Sequence, residues 1–302
     1  MKRMFMAMTV LLGLLLTFAN GCGGDNRRGG EGDDAGADSG TGAGDADGDT
    51  DADGDSGQSN DDCSEEAKLV YLVGSSNTLY SFHPPDKQFK TVGVIQCPGG
   101  GQPFSMSVSR DEVAYVLYWD GASSCVGINA VDIHDASCIG KTAFACNAVN
   151  GNTFGMGFAT DGPNTKAEKL YIGSNTSPAR LAWIDIQTWK VTVIGPLSGT
   201  AEMTGNSNGE LWGFFAWTTP PHVSQIDKAT GQESNTQSFP NLAGNAAFAF
   251  AHWGGDYYLF HGPNGNTTVY KLSGGQLTSY MPSTGYDIVG AGVSTCAPFV
   301  VQ

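Results

Sequence analysis

The chain is short of positive charge and of helical periodicity, and it lacks the short motifs of common chemistry. Fifteen Lys and Arg face 30 Asp and Glu, for a formal net charge of −15. That balance argues against a nucleic-acid partner. After the first segment, apolar residues do not recur at the 3.6-residue spacing of a helix. No CxxC or Cys/His spacing points to a metal, and no G-x-S-x-G elbow points to nucleophilic chemistry. Neither a cofactor nor a metal site is expected.

Residues 23–62 lack any apolar side chain larger than alanine, and they hold 13 acidic and 2 basic residues. Such a segment cannot bury enough surface to offset its ordering entropy, so residues 22–62 are expected to form a disordered, self-repelling tether. Asp49, Asp51, Asp53 and Gly54 match the start of a calcium loop. Asn60 stands where the bidentate carboxylate belongs, and no helical segment flanks the loop. A solvated acidic linker is the better reading.

Ahead of the tether, Lys2 and Arg3 precede the apolar run of residues 4–19, which ends at Asn20, Gly21 and Cys22. A short basic end, a run too short for a comfortable membrane span and small residues before the processing point predict a secretory signal over residues 1–21. Residues 18–22 resemble a bacterial lipobox, with Asn20 as a departure from its usual pattern. The resemblance implies cleavage before Cys22, acylation of that thiol and an outer-membrane location.

What the remaining 63–302 segment has is a repeat. Residues 101–111 (GQPFSMSVSRD) recur in degenerate form at 151–161, 199–209, 244–254 and 285–295, each opened by a glycine. Four copies are followed at once by a second short strand. Repeats of 41 to 50 residues built of short strands predict a β-propeller. Six residues after each glycine stand Ser107, Gly157, Gly205, Phe250 and Ala291, mostly small, as crowded inner strands require. Residues 68–74 match a second strand but lack an inner one, and 285–295 is an inner strand without a blade. Pairing them closes a ring of five blades and removes open edges. The second blade is expected to end with a strand over 141–146.

The seven cysteines fit an oxidising compartment: Cys22 goes to lipid and six remain. Cys63 and Cys296 flank the expected closure. Cys125 and Cys146 flank one hairpin, in register with Ile128 opposite Ala143. Cys97 is left with Cys138. With the lipobox, the Asp/Gly-spaced tether, Pro103 to Val108 and the later Asp135-Ala136-Ser137-Cys138, the chain resembles uncharacterised propeller lipoproteins of myxobacterial type. The resemblance implies fold and surface location and supplies no catalytic residue.

Function is less legible. A five-bladed glycoside hydrolase needs two carboxylates facing one substrate. The inner strands offer Glu202 and Asp287, which the pleat sends to opposite faces. His83, His134 and His252 read as satisfied strand histidines. A non-enzymatic surface for a carbohydrate or protein ligand is therefore expected where loops join second to third strands. Trp119, Asp120, Trp217, His222 and His261 are its candidate contacts, because tryptophan beside polar groups suits sugar faces and peptide side chains. A passive envelope scaffold is the remaining alternative.

Overall fold

The computed structural model describes residues 63–163, 165–242, 247–262 and 265–300. The signal segment, Cys22, the tether and its calcium-like motif lie outside them, as do residues 244–246, which open one repeat.

Each strand run is short and bounded by turn residues, and the runs assemble into five antiparallel four-stranded sheets. Blade 1 joins β1 (Val70–Gly74), β2 (Thr78–His83) and β3 (Gln88–Val94) to β20 (Ile288–Val293). Blade 2 holds β4 (Gln102–Val108), β5 (Val113–Trp119), β6 (Cys125–Asp132) and β7 (Cys138–Lys141). Blade 3 holds β8 (Phe154–Thr160), β9 (Glu168–Ser174), β10 (Arg180–Asp185) and β11 (Lys190–Pro196). Blade 4 holds β12 (Glu202–Gly205), β13 (Leu211–Phe215), β14 (His222–Ile226) and β15 (Glu233–Ser238). Blade 5 holds β16 (Ala247–Trp253), β17 (Asp256–Gly262), β18 (Thr268–Ser273) and β19 (Gln276–Met281). The inner strands β20, β4, β8, β12 and β16 contact one another in that cyclic order, which makes the domain a five-bladed β-propeller.

Closure follows the sequence expectation. Strand β20 pairs antiparallel with β1, with Leu72 opposite Ala291. A disulfide between Cys63 and Cys296 locks the two ends, and others join Cys97 to Cys138 and Cys125 to Cys146. The Cys97–Cys138 bond ties the link that follows blade 1 to the outer strand of blade 2. That strand departs from expectation, because it covers Cys138–Lys141 and ends where 141–146 was expected to begin. The Thr142 N–H and hydroxyl both donate to the Ile128 carbonyl, and the chain then curls into a 3-10 turn over Cys146–Val149. The ladder runs one residue off the expected register, with Asn129 opposite Lys141.

Small residues on the inner strands have a steric cause. A Cβ on Gly157 would lie 2.7 Å from the Met203 backbone, and one on Gly205 would lie 2.3 Å from the Phe158 carbonyl oxygen. At two inner-strand positions a hydroxyl instead bonds the neighbouring blade. The Ser107 hydroxyl accepts the Phe158 N–H, and the Thr204 hydroxyl accepts the His252 N–H. Large residues face the other way. Met106 and Val108 pack between blades 1 and 2, Phe154 and Met156 between blades 2 and 3, and Phe248 and Phe250 between blades 4 and 5. Phe250 thus keeps this arrangement although its offset from Gly244 differs by one in parity from the earlier copies.

Candidate functional site

A propeller offers two rims. The leading rim, where inner strands begin, also carries the loops from second to third strand, and all five sequence-derived contact candidates fall there. The structure gives them different surroundings. Trp119 ends β5 half-buried, its ring 5.6 Å from that of Phe104. Asp120 turns its carboxylate inward on its own loop, where Oδ1 accepts the N–H groups of Ala122, Ser123 and Ser124. Those three donors favour the charged form and bring its pKa down to about 2. Trp217 lies beyond the end of β13, is 45% exposed and packs edge-on against Phe248 at 4.9 Å. His261 is buried within β17, its Nε2 without a hydrogen-bond partner among the described residues, and desolvation holds its pKa below the usual value.

His222 is also buried, stacked 4.6 Å from the Phe215 ring. Its Nε2 lies 3.1 Å from Glu233 Oε2 and 3.4 Å from Ser198 Oγ, while Nδ1 faces the Thr218 hydroxyl at 2.9 Å. A nucleophilic triad needs the acid on one ring nitrogen and the serine on the other. Here both approach Nε2, so the cluster braces the loop after β13 without activating Ser198. The leading rim therefore presents Trp217 and little else of the expected set.

Other sequence readings resolve in the same way. Asp132, Asp185 and Asp227 each accept a backbone N–H two residues ahead, at 2.8 to 2.9 Å, and so shape the turns after third strands. His83 pairs with Asp86, and His134 with Asp132 and Glu112. His252 differs from the expected satisfied histidine. It is 2% exposed and its Nδ1 has no hydrogen-bond partner among the described residues. Burial lowers its pKa to about 4. Glu202 is sealed inside the ring, and Asp287 is half-buried on the leading rim beside Gly265. A carboxylate pair for glycoside cleavage needs both groups open to one substrate, which this arrangement does not supply.

Sequence reasoning passed over the opposite, trailing rim, where inner strands end. A cleft of about 530 Å³ opens there, lined by Arg110, Asp111, Glu168, Lys169, Trp183 and Gln187 among others. Its parts come from three blades: the β4–β5 turn, the β9 and β10 ends that face it, and Cys296 after β20. Glu168 ties them together. Its Oε1 accepts the Arg110 backbone N–H at 2.8 Å and its Oε2 accepts the Thr295 hydroxyl at 2.7 Å. Desolvation raises the Glu168 pKa against these bonds. Lys169 pairs with Asp161 and stands 5.7 Å from the Trp183 ring centre, within cation–π range. The Trp183 indole packs partly on the core between blades 3 and 4. The signal that could have found the cleft is the bunching of Arg110, Lys166, Lys169 and Lys228 on trailing-rim turns of an acidic domain. Among the described residues no group of three or more His, Cys, Asp or Glu is arranged to hold a metal.

No protein-family profile matches the chain, and no curated protein does. Solved structures do match, at low identity. TolB from Acinetobacter baumannii is 15% identical with a TM-score of 0.38, over 73% of this chain and 51% of TolB. The match thus spans about half of TolB. A protein of unknown function from Bacteroides caccae is 10% identical with a TM-score of 0.43, covering 74% of this chain and 97% of its own. Regucalcin from Agrobacterium tumefaciens strain C58, described as a calcium-binding protein, is 12% identical with a TM-score of 0.40, over 66% and 65% of the two chains. These likenesses carry no activity across; the fold rests on the strand pairing itself.

Proposed function

We propose that this chain is a lipid-anchored protein of the bacterial outer membrane whose propeller holds a carbohydrate or protein ligand without transforming it. Anchoring is supported by the basic end, the apolar run and the lipobox-like residues 18–22. Three disulfides agree with an oxidising, extracytoplasmic address. The likeness to myxobacterial propeller lipoproteins supports the same address.

One observation carries the binding reading. The trailing-rim cleft is walled by Trp183, whose indole N–H donates to no acceptor among the described residues, alongside charged and amide groups. An apolar plate with unspent hydrogen-bond donors in a concave site suits ligand capture. The test is tryptophan fluorescence of the purified protein during ligand titration. Trp183→Ala should abolish the ligand-dependent change and leave the melting temperature within a few degrees. A change that survives in Trp183→Ala but is lost in Trp217→Ala would move the site to the leading rim. The anchor is tested separately by detergent partitioning, which Cys22→Ser should abolish.

A further inference from the structure

We propose that the trailing-rim cleft selects a sugar bearing a carboxylate, with the sugar ring on Trp183 and the carboxylate on the Arg110 guanidinium. This rests on the reading of the cleft as the ligand site, and charge accounting within it supplies the ligand class. Most of the acids lining the cleft are already engaged by the protein. Glu168 accepts from Arg110 N–H and Thr295, Asp161 pairs with Lys169, and Asp185 accepts the Gln187 and Thr188 N–H groups.

Arg110 is less fully used, although its charge already favours the ionised form of Glu168. Its guanidinium has five donors in a fixed fork, yet among the described residues it meets no carboxylate within salt-bridge distance. Nη1 reaches the Thr295 hydroxyl only at 3.4 Å, and Nη2 reaches the disulfide sulfur of Cys63 at 3.2 Å. Both are weak uses of a charged donor, and a ligand carboxylate would offer two strong acceptors in matching planar geometry. Asp111, exposed beside it, and the engaged acids around the cleft keep the local field from being strongly positive. A singly charged carboxylate is therefore favoured over a phosphate dianion, which those acids would repel. Trp183 supplies the plate, and the exposed amide of Gln187 can both donate to and accept from hydroxyls. The volume of about 530 Å³ suits a short oligosaccharide.

The experiment is calorimetric titration of the purified protein with an aldobiouronic acid, a disaccharide carrying a single carboxylate, and with its methyl ester, which removes the charge. The acid should bind at least about tenfold more tightly than the ester, equivalent to ~1.4 kcal/mol. Arg110→Gln should weaken the acid far more than the ester, so that the two bind with similar affinity. Arg110→Lys, which keeps the charge and loses the fork, should fall between the parent and Arg110→Gln. Melting curves of both variants guard against loss of the Cys63 contact being read as loss of binding. Equal binding of acid and ester, lost in Trp183→Ala, would overturn the carboxylate assignment and leave the cleft as a binding site. Binding of the acid that persists in Arg110→Gln would also overturn it. Absence of binding by either sugar, with Trp183 fluorescence unmoved by a panel of neutral oligosaccharides, would count against both readings.

Discussion

The Ser105 hydroxyl donates to Glu202 Oε2 at 2.7 Å, joining blade 2 to blade 4 although blade 3 stands between them in the ring. Glu202 is 3% exposed, and its neighbours on adjoining inner strands are closely packed: a Cβ on Gly155 would lie 2.8 Å from the Glu202 Cα. Burial raises the Glu202 pKa well above the ordinary carboxylate value, and the Ser105 bond opposes the shift only in part. A carboxyl raised in the fold contributes fully below its unfolded value and loses that contribution as pH rises through the folded one. Glu202→Gln keeps an acceptor for Ser105 and does not ionise. It should therefore melt progressively higher than the parent between pH 5 and pH 8. Ser105→Ala should cost about 1–3 kcal/mol, the penalty for a buried polar group left without its partner. A melting gap for Glu202→Gln that is flat with pH would refute the account.

His252 predicts acid sensitivity. Its pKa falls from 6.5 to about 4 in the folded protein, chiefly by desolvation. The unfolded chain takes up the proton first, so the stabilising contribution is complete above pH 6.5 and is lost as pH falls towards 4. The full effect is ~3 kcal/mol. His252→Phe, which can still stack on Phe299, should flatten the melting profile across that window. A profile as steep as the parent's would assign the acid transition to other groups.

Closure by Cys63–Cys296 spans 233 residues of sequence. The chain-entropy model places the stabilisation from so long a loop at about 5 kcal/mol. Cys296→Ser should lower the denaturation midpoint accordingly while keeping cooperative unfolding, because β20 still pairs with β1. Truncation before Gly285 removes β20 itself and should abolish cooperativity. A truncated chain that melts like the parent would contradict ring closure as the source of stability.

Trp217 separates packing from exposure. An indole that is 45% exposed packs edge-on against Phe248. Trp217→Ala should cost ~1 kcal/mol, well short of the 3–5 kcal/mol of a fully buried tryptophan, and the indole should be open to acrylamide quenching. A loss of core size would place it between the blades.

The fold was legible because the propeller repeats its demands. Each inner strand needs small residues where its neighbour's backbone approaches, so Gly292 against Ser107 of blade 2 and Gly157 against Met203 of blade 4 mark the same demand at different seams. The missing inner strand ahead of Val70 announced the closure. Where blade 2 departs, a local device overrides the pattern: the Cys125–Cys146 bond and the Thr142 bonds to Ile128 draw residues 142–149 out of the sheet. The site was less legible because composition does not state where a side chain turns. His222 and His261 sit in loops or strand ends by sequence, yet the structure buries both. Asp120 is consumed by its own turn. Trp183 lies within a third strand and reads as a packing residue until Arg110 of blade 2 and Thr295, after the closing strand of blade 1, are seen to converge on Glu168 of its own blade.

The pairing of β20 with β1 also imposes an order on synthesis. Strands β1, β2 and β3 are made first, and the β1 edge then exposes unpaired backbone groups until residues 288–293 follow. The ring cannot close from its beginning. During that interval the buried face of Val70 and Leu72 is open to a second copy of the same nascent strand. A chain built in this way depends on holding factors, or on rapid delivery of its C-terminal part, to avoid pairing with its sibling.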